Sequence, residues 1–126
     1  EGGRLFVMRD GRRWYFMEEL YPELGNLMPR DVISREMVKL GARGDCDKQV
    51  YLDMTGISKE VWDAKLSDLR EEIIDYLHID PAIGPVAVEP GIHFFMGGYR
   101  VNEDHSTDIE HLHAAGEAAC QYHGAN

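Results

Sequence analysis

Four features of this chain carry residue types that can do chemistry. Arg30-Asp31 follows Pro29 at the predicted start of a helix. His93 lies in an apolar, aromatic segment and is followed after Met96 by Gly97-Gly98. Glu117 follows Ala114-Ala115-Gly116, and His123-Gly124-Ala125-Asn126 closes the sequence. A cation at a helix N-terminus opposes the helix dipole, so Arg30 asks for an anionic partner. Asp31 is one; a bound carboxylate would be another. His93 is either a hydrogen-bonded core imidazole or a functional one. Glu117 either caps a helix or meets a ligand. His111 and His113 lack a third ligand at a recognised spacing, so no metal site is read from them. His105 sits in a polar loop and reads as solvated.

These residues need a scaffold. Residues 4–8 and 13–17 are apolar-rich runs around Asp10-Gly11, a hairpin signal because that turn needs positive φ. The stretch YPELGNLMP reads as a loop. Pro29 suits the first turn of a helix that carries Ile33, Met37 and Leu40 at helical spacing and ends near Gly41. Residues 49–54 read as a strand. Ser58 is the expected N-cap of a single long helix to about His78, with Trp62, Leu66, Leu69, Ile73 and Leu77 as one apolar stripe. Residues 86–89 and 92–96 read as extended, the latter ending in a tight Gly97-Gly98 turn. A hairpin, short strands and two main helices make this α+β.

With 126 residues, 44% of them hydrophobic, the chain has material for one domain with a core and reads as too short for two. A formal net charge of −10 argues against a nucleic-acid or anionic-membrane surface. No apolar run is long enough to span a bilayer. Cys46 and Cys120 belong to no cysteine framework, which suits reduced thiols in a cytoplasmic setting. The abrupt EGG opening and HGAN ending read as a domain cut from a larger protein.

GIHFFMGG, then AAGE, then HGAN, preceded by Arg30-Asp31-Val32-Ile33-Ser34-Arg35, resembles the flavoprotein subunits of succinate dehydrogenase and fumarate reductase, a family that includes L-aspartate oxidase. The resemblance runs from EGG to HGAN. It implies that residues 1–126 form the capture domain that closes over a FAD-binding domain of the same parent chain, with the segment from about 112 leading back into that domain. It implies FAD as cofactor, a dicarboxylate (succinate or fumarate) as substrate, an iron–sulfur subunit as a partner, and a place in the cytoplasm or at the cytoplasmic face of a membrane.

Residue by residue, the resemblance makes Arg30 the proton-transfer residue and His93 a carboxylate binder directed by Gly97 and Gly98. Glu117 is expected to contact FAD, and His123, Gly124 and Asn126 to approach its ring system. Arg35 is expected in a salt bridge within the domain. The family's second carboxylate-clamping Arg would follow Asn126, its Thr-Glu pair would precede Glu1, and the dinucleotide fingerprint G-x-G-x-x-G does not occur in this sequence. The alternatives are the capture domain of an L-aspartate oxidase, or a non-catalytic binding module derived from such a domain.

Overall fold

The computed structural model describes residues 2–92, 95 and 97–120. The backbone divides into two compact units, residues 1–90 and 91–126. Each is described by itself.

The first unit is built on an antiparallel sheet of order β2-β1-β3-β4, formed by β1 (Arg4–Arg9), β2 (Arg12–Trp14), β3 (Val50–Asp53) and β4 (Val86–Val88). Asp10 (φ 51°) and Gly11 (φ 72°) both adopt positive φ between β1 and β2. That is the pair of conformations a tight hairpin needs, and it explains the Asp-Gly sequence. Leu5 faces Leu52 and Val7 faces Val50, so alternate residues of β1 and β3 line one face. Phe6 and Tyr51 line the opposite face, with rings stacked 5.3 Å apart.

The expected strand over 13–17 stops at Trp14, and a short helix α1 (Phe16–Leu20) takes over. Phe16 and Met17 are both fully buried. Adjacent residues of a strand point to opposite faces, so only a helical turn lets this pair enter one core. Glu18 and Glu19 fall in the first turn of α1, where negative charge is favoured.

Helix α2 (Arg30–Gly41) matches the predicted span and buries Met37 and Leu40. They join Leu5, Val7, Phe16, Met17 and Val50 in the larger core cluster.

The single helix expected over 58–78 is instead two, α3 (Lys59–Lys65) and α4 (Ser67–Leu77). Leu66 leaves the helical region at φ −128°, ψ 12°. The break turns the apolar stripe: Trp62, Leu66 and Ile73 pack with Met54 and Val86, while Leu69 and Leu77 stay exposed. Ser58 caps α3 as expected, its hydroxyl accepting from the Val61 N–H at 3.4 Å. Because that bond is long, Ser58→Ala is expected to cost about 0.5 kcal/mol, the low end for a cap, read as a shift in the urea midpoint. His78 ends α4 in the left-handed conformation at φ 56°.

In the second unit, β5 (Gly97–Gly98) pairs antiparallel with β6 (Ala119–Cys120). A polar loop between them is closed by a bridge from Ser106 to His113 and by the Asp104 carboxylate, which accepts from the Ser106 N–H and hydroxyl. Helices beside antiparallel strands make the molecule α+β. No helix among the described residues is long and apolar enough to cross a membrane.

Candidate functional site

In the first unit the residue expected from the sequence to do chemistry, Arg30, stands at the start of α2. Pro29 is its N-cap (φ −51°, ψ 145°) and supplies no capping side chain. The Pro29 carbonyl accepts from the Val32 and Ile33 N–H groups, while proline has no N–H of its own to leave orphaned. Arg30, the first helical residue, is exposed and has no hydrogen-bond or ion-pair partner among the described residues.

The sequence offered Asp31 as that partner. Its carboxylate instead holds Arg35, with Nη2 2.6 Å from Oδ2. Neighbouring side chains on a helix diverge, whereas residues four apart share a face, so Asp31 reaches Arg35 and not Arg30. The salt bridge expected of Arg35 is therefore present.

The approach to Arg30 is braced. Gly25 opens a short 3-10 turn (Gly25–Leu27) at φ 51°, and a Cβ there would lie 3.5 Å from the Glu18 side chain. The Asn26 side-chain oxygen accepts from the Leu5 N–H at 2.9 Å, tying this loop to β1. The Tyr21 hydroxyl donates to Glu36 at 3.1 Å, and Lys39 donates to the same carboxylate at 2.7 Å. The Lys39 hydrogen bond lowers the Glu36 pKa; partial burial opposes this, and Tyr21 adds to the lowering. Met28, Ile33 and Tyr21 pack on the core from either side of Arg30 in sequence.

In the second unit Gly97 and Glu117 come together. Glu117 lies in a 3-10 turn (Gly116–Ala118), and its Oε1 accepts from the Phe95 N–H at 2.6 Å. The carboxylate is thus not a helix cap. Gly97 and Gly98 form a paired strand rather than the expected tight turn, at φ 88° and 139°. Those angles favour glycine. The Tyr99 N–H donates to the Ala118 carbonyl at 2.8 Å, extending the pairing. Phe95, Gly97, Gly98, Tyr99, Glu117 and Ala118 line an open surface hollow of about 540 Å³. The sequence reading missed Phe95 and Tyr99 as lining residues; the exposure of two aromatics beside a glycine pair became visible only with the pairing of β5 and β6. His93, His123, Gly124 and Asn126 lie outside the described residues. Among the described residues no group of three or more His, Cys, Asp or Glu could hold a metal ion.

The profile of the FAD binding domain family matches residues 1–126. The chain belongs to the FAD binding domain family. FAD is the cofactor of this family, and its members named below are oxidoreductases. The succinate dehydrogenase flavoprotein subunit of Bacillus subtilis is 40% identical over 132 residues, which cover 100% of this chain and 22% of that protein. The L-aspartate oxidase of the same organism is 40% identical over 127 residues, again 100% of this chain and 22% of the relative. A solved quinol–fumarate reductase with menaquinol superposes with a TM-score of 0.74 at 26% identity, over 95% of this chain and 23% of the solved one. The chain therefore spans less than a quarter of the proteins it matches.

The residues described in the second unit offer a ligand such as FAD an open hollow, accessible backbone and one carboxylate acceptor. The hollow is wide open to solvent, so it can receive part of a ligand and not enclose a whole one. At Gly97 and Gly116 a Cβ would meet no atom within 4 Å among the described residues beyond its chain neighbours, so a ligand can approach the backbone there. Glu117 supplies an acceptor for the hydroxyls such a ligand carries. The diphosphate finds no counterpart here, because the sequence contains no Gly-rich dinucleotide fingerprint.

Proposed function

We propose that this chain is the substrate-capping part, or capture domain, of a FAD-dependent oxidoreductase that interconverts succinate and fumarate. The observation that carries the reading is Arg30: an exposed guanidinium without a partner among the described residues, on the first residue of a braced helix, in a chain that belongs wholly to a flavoprotein family. Arg30 gives a proton to, or receives one from, the carbon next to the site of hydride exchange. An arginine pKa lies far above neutrality, so it can act as acid only toward a strongly basic centre, and its charge steadies that centre as it develops. The α2 dipole adds positive potential at the same point.

His93 and Gly97 are proposed at the substrate carboxylate, and Glu117, His123, Gly124 and Asn126 at the cofactor. FAD, when bound, supplies the hydride acceptor or donor. The FAD-binding part of the parent chain, an iron–sulfur subunit and a cytoplasmic location belong to the same proposal.

The equal identity to L-aspartate oxidase supports a second reading, a capture domain acting on L-aspartate. The two separate in one experiment on the full-length flavoprotein, purified without air and followed by flavin absorbance. Bleaching by succinate with reoxidation by fumarate supports the first reading. Bleaching by L-aspartate and not by succinate supports the second, and a parent without flavin removes both. The 126-residue chain alone is expected to show no measurable FAD affinity in a fluorescence titration, because it carries one edge of the contact and no diphosphate site. Tight binding by the chain would overturn that partition.

A further inference from the structure

Helix α2 carries three cations and two carboxylates: Arg30, Arg35 and Lys39 against Asp31 and Glu36. Each carboxylate is held by a cation toward the C-terminal end. Asp31 pairs with Arg35 at i,i+4, and Glu36 pairs with Lys39 at i,i+3. Of the three cations, Arg30 has no carboxylate partner among the described residues. In this chain of 23 acidic and 13 basic residues Arg4, Arg9, Arg13, Arg43 and Arg70 find carboxylates, whereas Arg12 and Arg100, like Arg30, have none among the described residues; Arg30 differs from those two in standing at the start of a helix beside a carboxylate that is held elsewhere. Asp31 is the acidic residue of the first turn of α2, where an unpaired carboxylate would offset both the helix dipole and the neighbouring guanidinium.

We propose that Arg35 is a positioning residue for Arg30. By holding the Asp31 carboxylate one turn away, it keeps the charge at residue 30 uncompensated and available to an anionic ligand. The proposal rests on the reading of Arg30 given above. Its chemistry is electrostatic: with Arg35 neutral, the full charge of Asp31 acts on the anion that approaches Arg30. The Asp31–Arg35 pair is more than half exposed on both sides. The effect is therefore that of a screened surface charge, of order two- to fivefold in affinity, and it shrinks as salt shortens the Debye length.

The test uses the full-length flavoprotein and succinate, with KM and kcat measured at low and at high ionic strength. Arg35→Gln is expected to raise KM about two- to fivefold at low salt with little change in kcat, and the difference should fade at about 1 M salt, where the Debye length is near 3 Å. Arg35→Lys, which keeps the charge, should retain most of the wild-type KM. The double variant Asp31→Asn/Arg35→Gln should bring KM back toward wild type, which a merely structural role for Arg35 would not do. An unchanged KM in Arg35→Gln, a shift that ignores salt, or a double variant as impaired as the single one would overturn the proposal. Arg30→Gln is measured alongside. Full turnover in that variant sinks the reading of Arg30 and this inference with it. Lost turnover there, with no response at Arg35, sinks this inference alone.

Discussion

Replacing Arg30 by glutamine in the full-length flavoprotein is expected to lower kcat for succinate oxidation and fumarate reduction by about 10²–10⁴-fold, the range of a lost general acid or base. The size follows from the two things removed together. Glutamine can neither hold nor pass on the proton at the guanidinium, and it carries no charge to steady a developing carbanion. Folding should be spared, because Arg30 is exposed and has no partner among the described residues to leave stranded. Met37 and Leu40, which anchor α2, are untouched. Thermal unfolding and flavin content are therefore expected to match wild type, and the loss to lie in kcat. A variant with normal kcat and a raised KM would mean that Arg30 only binds the substrate. One with normal values of both would remove it from the site.

The start of α2 was legible because its signals are local. Pro29 fixes the entry, the Ile33, Met37, Leu40 spacing fixes the buried face, and Asp31 and Arg35 stand four apart. The partner of Arg30 was misread for a geometric reason: adjacency in sequence is not adjacency on a helix. The hairpin was legible through Asp10-Gly11, whereas α1 was not. Trp14, Tyr15, Phe16 and Met17 are apolar or aromatic without a period, and only the joint burial of Phe16 and Met17 separates a helical turn from a strand. The break at Leu66 was hidden for a related reason. The stripe from Trp62 to Leu77 keeps helical spacing through it, and no Gly or Pro marks the change. In the second unit, the glycines were read as a turn from their type. Pairing with Ala119 and Cys120, residues more than twenty positions later, makes them a strand, and that is tertiary information.

Among the polar side chains described in the first unit, Asp53 carries the largest expected stability effect. Asp53 ends β3 opposite Arg4 and is 7% exposed. Its Oδ2 accepts from Arg13 at 2.9 Å and from the Tyr15 hydroxyl at 2.8 Å, and its Oδ1 accepts from the Thr55 N–H and hydroxyl at 3.1 and 2.7 Å. Burial pushes this carboxyl up. The hydrogen bonds from Thr55 and Tyr15 and the charge of Arg13 outweigh it, and the net pKa lies below the usual carboxylate range. Asp53→Ala strands these donors, but Arg13 is nearly half exposed and can turn to water. The expected loss is therefore about 2–3 kcal/mol, below the cost of breaking a fully buried pair. For a unit of this size that lowers the thermal midpoint by about 10–20 °C. Asp53→Asn keeps an acceptor for Thr55 and loses the charge against Arg13, so a loss of about 1 kcal/mol is expected. The sign of the pH dependence follows from the depressed pKa. The charge contributes stability above the unfolded value, near pH 4, and that contribution disappears as pH falls through the folded value. The urea-unfolding gap between wild type and Asp53→Asn should thus be full at pH 7 and narrow as pH falls below the unfolded value. A gap of constant size over that range would show that Asp53 stabilises the sheet corner by shape and hydrogen bonding, without its charge.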